Sequence, residues 1–366
     1  MKAMLDHNLY VNISPQEKYP IFIDSAPLES LEHKIFNHTC ANKILIVISE
    51  KVNKLYGKQL NFKNSLKFVL KDGEKEKNFK NYKKILDFAL KNKLERKDAI
   101  VAIGGGVVGD ISGFVASTYL RGIDFIQIPT TLLACVDSSV GGKTAINSNF
   151  GKNLVGSFYQ PKAVFCNLNF LKTLDDRQFK TGLAEVLKYA FIEKSCEAGT
   201  EYNFYEFLTQ NKDEILEKKD EILAEIIKIS LELKASVVSK DEKESGLRKI
   251  LNFGHTYGHA IEKITNYKKF THGEAIAMGM IFAINLAFQK GLITIDYQNN
   301  SLELINSFNL VKKMPKFNEN RMIKLMQADK KVEDGKIKFI LPSSRKYAEI
   351  FEVTPKELSS KTNQLR

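Results

Sequence analysis

Apolar residues in the first half of the chain fall into short continuous runs rich in β-branched side chains. These are KILIVIS (Lys43 to Ser49), SLKFVL (Ser65 to Leu70), AIVAI (Ala99 to Ile103), DFIQIP and KAVFCN. Runs of this length, bounded by glycine or polar residues, predict strands buried on both faces. Between the second and third runs, the lysine-rich stretch from Glu76 to Lys93 places Phe79, Tyr82, Ile85, Leu86, Ala89 and Leu90 at helical spacing. Strand, helix and strand in this rhythm predict a mainly parallel sheet with helices on its faces. From about Asp175 the pattern changes. GLAEVLKYAFIEK, DEILAEIIKISLELKASVVSKDEKE, KILNFGHTYGHAIEKI and HGEAIAMGMIFAINLAFQK all carry the helical period, and only KIKFIL and YAEIFEV read as late strands. The pattern predicts an α/β domain over 1–170 and a mostly α-helical domain over 171–366, with no internal repeat.

A length of 366 residues suits two domains, each with its own core. The net charge of +12 is compatible with nucleic acid, an anionic surface or small anions. The lysines are spread over helical patterns such as KEKNFKNYKKILDFALKNK and no nucleic-acid-reading signature accompanies them, so small anions are the expected partners. Cys40, Cys135, Cys166 and Cys196 form no C-x-x-C and no close pair, which argues against a disulfide framework or a thiolate zinc site. The N-terminus has no apolar signal core, and AIAMGMIFAINLAF is too short and too polar to span a bilayer. The expectation is a soluble cytoplasmic protein with neither a membrane nor a nucleic-acid partner.

Three of the six histidines, His255, His259 and His272, lie within NFGHTYGHAIEKITNYKKFTHGE. His255 and His259 are four apart and share a helix face, and His272 opens the next helical pattern. Paired imidazoles with a third from a neighbouring helix suit a divalent metal. Glu185 and Lys188, three apart in AEVLKYA, read either as an exposed ion pair or as a carboxylate ligand joining His255 and His272 with a lysine beside it. HTYGH lacks the glutamate of HExxH, which excludes that metalloprotease reading. Arg248, Asn252, His255 and His259 continue at helical spacing and predict one polar stripe, suited to an anionic polyhydroxylated ligand.

GGGVVGD (Gly104 to Asp110) satisfies G-x-G-x-x-G between a strand and a helix, a turn that brings backbone close to a pyrophosphate. DSSVGGKTAINSNFGKN (Asp137 to Asn153) reads as a long polar loop whose Lys143 and Lys152 suit a phosphate. Its GGKT imitates a P-loop, but Asp137 stands where the upstream glycine is required.

Taken together, GGGVVGD, YLRG, IPTTLLACVDSSVGGKTAIN, GKNLVGSF, GLAEVLKYA, RKILNFGHTYGHAIE and HGEAIAMGM resemble the 3-dehydroquinate synthases of the shikimate pathway, in order, spacing and content. The resemblance runs from Lys43 to the DKK at 329–331. It implies a Rossmann-like NAD-binding α/β domain, a mostly helical metal-binding domain and an active site in the cleft between them. Members convert 3-deoxy-D-arabino-heptulosonate 7-phosphate to 3-dehydroquinate and phosphate by transient NAD oxidation, phosphate elimination, re-reduction and aldol closure. The resemblance assigns Glu185, His255 and His272 to the metal, zinc or cobalt, and gives His259 a supporting or proton-handling role instead of ligation.

By the same resemblance, Lys143, Lys152, Asn153, Lys188, Lys234, Arg248 and Asn252 contact the anionic sugar phosphate. Arg121 contacts its phosphate, from a neighbouring subunit of a homodimer, and a lysine of the DKK string, Lys331 or Lys330, also reaches it. For NAD the matching positions are Asp72, Gly73, Glu74, Lys77, Gly105, Gly106, Val107, Val108, Gly109, Asp110, Thr130, Thr131, Asp137, Lys143, Lys152, Phe170 and Thr173. Ser49 and Glu50 depart from the Thr-Asp or Thr-Asn common near the adenosine ribose. The competing readings are another sugar phosphate cyclase, or a metal-dependent polyol dehydrogenase that releases NADH. The set Lys234, Arg248 and Asn252 favours a substrate with a carboxylate.

Overall fold

The computed structural model describes residues 6–14, 17–329, 336–344 and 347–361. The chain forms two compact units, Met1–Asp175 with Leu223–Leu231, and Asp176–Ile222 with Glu232–Arg366.

The first unit is built on a seven-stranded sheet. Its strands are β1 (Asp6–Ser14), β2 (Glu17–Asp24), β3 (Ile44–Ser49), β4 (Ser65–Leu70), β5 (Ala99–Gly104), β6 (Asp124–Pro129) and, after the hairpin β7 (Lys143–Ser148) and β8 (Gly151–Phe158), β9 (Ala163–Asn167). The order is β1-β2-β9-β6-β5-β3-β4, antiparallel only between β1 and β2. Alternation explains the unbroken apolar runs. Ile44, Ile46 and Ile48 of β3 enter the core on one face, with Val101, Ile103 and Phe165. Leu45 and Val47 enter the core on the other, with Ile100, Ile85, Val108 and Ile111. The helix Phe79–Lys91 packs there through Ile85 and Ala89, the positions its periodicity selects.

Two features of this unit depart from the sequence expectation. The segment 137–153 is not a loop: after a π-helical turn (Ala134–Ser138) it forms β7 and most of the hairpin with β8, with Lys143 opposite Phe158 and Ile146 opposite Val155. Its polar composition concealed the strands because the hairpin buries little, Ile146 being inward while β8 is largely half-exposed or exposed. The β1–β2 hairpin at the sheet edge was also not foreseen. It pairs Leu9 with Ile21 and Val11 with Tyr19, and its β1 sequence is too polar for the run-based signal.

The second unit is mostly helical, with helices Asp176–Ile192, His255–Ile264, His272–Gln289, Ile295–Ser307 and Glu319–Asp329. The two late strands appear as an antiparallel hairpin, β10 (Ile337–Ser344) and β11 (Tyr347–Val353). The expected single stripe of Arg248, Asn252, His255 and His259 is broken. Leu247–Asn252 is a 3-10 helix, Gly254 has a φ of 77°, and a new α-helix begins at His255. The break lies at a point of close packing. A Cβ on Gly254 would meet Met280 Cγ at 2.7 Å, and one on Gly279 would sit 1.9 Å from the Gly254 carbonyl oxygen. The helices bearing His255 and His272 therefore touch backbone to backbone. Gly279→Ala should lower unfolding free energy by about 3 kcal/mol or more, because the clash is with main chain that cannot rotate away. An unchanged urea midpoint would contradict this contact. Among the described residues no helix is long and apolar enough to cross a membrane.

Candidate functional site

Helix Asp176–Ile192 is buried on all sides from Thr181 to Ile192, and Glu185 and Lys188 lie within that apolar surround. Charges so placed must be paired. Lys188 Nζ contacts Glu185 Oε2, and it also lies 4.6 Å from the Tyr189 ring centroid. The exposed-ion-pair reading is thus excluded by burial, at 0% and 2% side-chain exposure.

His255 Nε2 and His272 Nε2 lie 3.6 and 3.4 Å from Glu185 Oε1. One ligand atom from each of the three residues falls within 4.8 Å of the others. The second ring nitrogens are already engaged: His255 Nδ1 faces the Phe253 carbonyl at 3.0 Å, and His272 Nδ1 faces Glu262 Oε1 at 3.5 Å. Partners of this kind fix ring orientation and leave both Nε2 atoms for a metal. Both carboxylate oxygens of Glu185 are fully buried, Oε2 against the Lys188 ammonium and Oε1 facing the two imidazole Nε2 atoms. A buried carboxylate whose Oε1 faces two imidazole nitrogens fits a divalent cation.

Electrostatics agree with that assignment. Burial would raise the Glu185 pKa, but Lys188, then His255 and His272, hold it well below the usual carboxylate range. Burial pushes His255 down to about 3, so it is neutral and able to ligate. For His272 burial is outweighed by Glu185 and Glu262, which push it up to about 10. Ligation by His272 therefore requires release of its proton.

His272 is positioned from its own first turn. Thr271 Oγ1 accepts from Glu274 N at 3.2 Å, and Thr271 N donates to Glu274 Oε2 at 2.8 Å, a complete capping box. Arg177 donates to both Glu274 oxygens, at 2.9 and 2.8 Å, and Thr181 bonds Thr271 at 2.9 Å. The turn is thereby fastened to the helix that carries Glu185. His259 stacks edge-on to His255 with centroids 5.3 Å apart but is not one of the three clustered ligands. The pairing suggested by spacing alone, His255 with His259, is replaced by His255 with His272 and Glu185.

Arg248 and Lys234 are buried in the same unit. Asn252 Nδ2 donates to Glu244 Oε1 at 2.7 Å, and Arg248 Nη1 donates to the Glu242 carbonyl. Lys330 and Lys331 lie outside the described residues. Glu262 was missed in the sequence, although it is seven residues, two helical turns, beyond His255 and so on its face.

The first unit carries a separate cluster. Gly104 and Gly105 link β5 to helix Gly106–Thr118, and a Cβ on Gly109 would meet Gln127 Oε1 at 2.7 Å. Glycine there lets the helix pack against β6, and the amides of Gly106 and Val107 precede the first turn's bonds, which run from Val108 N and Gly109 N to the Gly105 carbonyl. Lys77 is buried, bonds Asp110 at 2.8 Å and pairs with Glu74 at 3.4 Å. Burial would lower its pKa, but the Asp110 and Glu74 carboxylates raise it, so Lys77 is a fixed cation at this helix start. Asn147 of β7 joins the group: its Nδ2 donates to Glu74 Oε1 at 2.8 Å and its Oδ1 accepts from Asn153 N at 3.0 Å. It is a residue that the sequence reading passed over, since it sat in the presumed loop.

Gly73 has a φ of 108° with open space where a Cβ would be, and Asp72 accepts from Lys51 N at 3.0 Å. Thr130 N donates to the Gly104 carbonyl, and Thr131 Oγ1 accepts from Ala134 N. Asp137 lies on the π-helical turn. Thr173 Oγ1 bonds Tyr56 OH at 2.8 Å, whereas the Phe170 side chain is in the core and offers a ligand only its backbone. Ser49 caps helix Glu50–Tyr56, accepting from Val52 N at 3.3 Å. Lys143 and Arg121 are exposed, Arg121 with a φ of 69°, and Lys152 is half-buried.

Comparison with known proteins matches both parts of the chain to one family. The family model described as 3-dehydroquinate synthase N-terminal matches residues 67–181, and the one described as 3-dehydroquinate synthase C-terminal matches residues 182–332. The 3-dehydroquinate synthase of Prochlorococcus marinus (strain MIT 9215) is 42% identical over 349 residues, 92% of this chain and 94% of the relative. That of Alkaliphilus metalliredigens (strain QYMF) is 42% identical over 356 residues, 96% of this chain and 97% of the relative. Among solved structures, a 2-deoxy-scyllo-inosose synthase complexed with carbaglucose-6-phosphate, NAD+ and Co2+ superposes with a TM-score of 0.85 at 26% identity, covering 97% of this chain and 99% of its own. The chain belongs to the 3-dehydroquinate synthase family.

Proposed function

We propose that this chain converts 3-deoxy-D-arabino-heptulosonate 7-phosphate into 3-dehydroquinate and inorganic phosphate, as a phosphorus–oxygen lyase that uses NAD and a divalent metal, zinc or cobalt. The observation that carries the proposal is the Glu185–His255–His272 cluster beside the buried Lys188, in a chain that matches curated 3-dehydroquinate synthases over most of its length. The related inosose synthase, with NAD+, Co2+ and a sugar-phosphate analogue in its complex, supports the cofactors and the substrate class.

In this reading Glu185, His255 and His272 would hold the metal, which would supply Lewis acidity toward substrate oxygens. Lys188 neutralises the buried Glu185 and keeps a cation beside the substrate oxygens. Lys234, Arg248 and Asn252 supply fixed donors for the substrate carboxylate, and His259 is a proton carrier next to His255. The Gly105–Asp110 turn with Glu74 and Lys77 would hold the dinucleotide, which would supply a reversible hydride acceptor. Lys143, Lys152, Asn153 and Arg121 are assigned to the substrate phosphate by family resemblance, and with them a homodimer in the cytoplasm.

The distinguishing measurement is stoichiometric. Phosphate released should exceed the NAD present by many turnovers, with no lasting rise in absorbance at 340 nm. Accumulation of one NADH per substrate consumed would instead mean a polyol dehydrogenase.

A further inference from the structure

Asp241 stands at the end of helix Asp220–Lys240, seven residues before Arg248. Its carboxylate gathers the intervening loop. Oδ1 accepts from Ser245 N at 2.9 Å and Ser245 Oγ at 3.0 Å, while Oδ2 accepts from Gly246 N at 2.7 Å and Arg248 N at 2.9 Å. The 3-10 helix Leu247–Asn252 has Gly246 as its first flanking residue and no side-chain cap of its own. Asp241 fills that role from upstream, accepting the donors an N-terminus leaves unpaired. The loop then holds Arg248 a second time, through Nη1 and the Glu242 carbonyl.

From this geometry we infer that Asp241 is a positioning residue, which sets the place of the Arg248 guanidinium by clamping the loop that precedes it. The inference rests on the role proposed for Arg248 in substrate binding. Chemistry supports a fixed clamp over a proton carrier: although burial works the other way, the N–H groups of Arg248, Gly246 and Ser245 hold the Asp241 carboxyl down to about 2. It is ionised throughout the working pH range and cannot exchange protons with substrate there.

Asp241→Asn keeps the shape but loses the charge and turns an amide toward at least one N–H donor. It should raise KM for the heptulosonate phosphate about tenfold and change kcat by less than about threefold, with metal content, NAD affinity and the pH profile retained. In an Arg248→Ala background the same change should have less than about a twofold effect, since a residue acting through Arg248 has nothing left to act on. Equal effects in both backgrounds, or an unchanged KM, would overturn the inference.

A second readout does not depend on turnover. Arg248 is 2% exposed, and its modification by phenylglyoxal, followed by peptide mass spectrometry, should accelerate at least about tenfold in Asp241→Asn as the loop opens. An unchanged rate would sink the clamp even if the enzyme is active. A wild-type chain that releases no phosphate, with the rate accelerated as expected, would leave the clamp standing and remove the proposed substrate.

Discussion

Replacing His272 with alanine should abolish metal binding and activity together. The residue supplies one of three clustered ligand atoms, and Glu185 and His255 alone are too few to retain a catalytic ion. Lewis acidity worth several kcal/mol goes with the ion, so kcat should fall by about a thousandfold or more. The fold should survive, because the helix start depends on the Thr271–Glu274 capping box and the Arg177 ion pair, not on the imidazole. The check is metal analysis beside far-UV circular dichroism. Full activity at stoichiometric metal would refute His272 as a ligand, and a lost helical signal would mean that the effect was structural.

The second large effect is expected from Arg248→Ala. A buried guanidinium that meets an anionic substrate makes charge-assisted hydrogen bonds whose loss costs several kcal/mol. The value of kcat/KM should fall about a hundredfold to a thousandfold. Metal content and NAD affinity should stay, since the alanine retains the backbone N–H that Asp241 accepts and the loop remains clamped. Calorimetric titration with NAD separates the cases: a loss of NAD affinity would show that Arg248 belongs to a different site.

Much of this is legible in the sequence, for physical reasons that differ by region. β3 and β5 could be read because strands buried on both faces must be apolar at every position, as Ile44–Ile48 and Ala99–Ile103 are. The β7–β8 hairpin could not, because its strands are polar and only Ile146 among its hydrophobic residues is fully inward. Histidine spacing announced a metal, yet spacing alone paired His255 with His259. The resemblance names Glu185, His255 and His272 instead, and these are the three whose ligand atoms lie within 4.8 Å of one another, a tertiary fact that local periodicity does not encode. The polar stripe failed at Gly254 for a related reason. Its left-handed backbone and the contact with Gly279 are properties of two helices packed together. Asp241 escaped notice because most of its bonds are to backbone amides, which carry no residue-type signature in the partner, and Asn147 because it sat in the presumed loop.

The most direct test of the account is phosphate release from 3-deoxy-D-arabino-heptulosonate 7-phosphate by protein stripped with EDTA, supplied with catalytic NAD, and assayed before and after addition of zinc or cobalt. The account predicts no release from the stripped protein and restored release on metal addition, with no net NADH. Undiminished release from protein shown to be metal-free, or none from protein carrying one metal per chain, would contradict it.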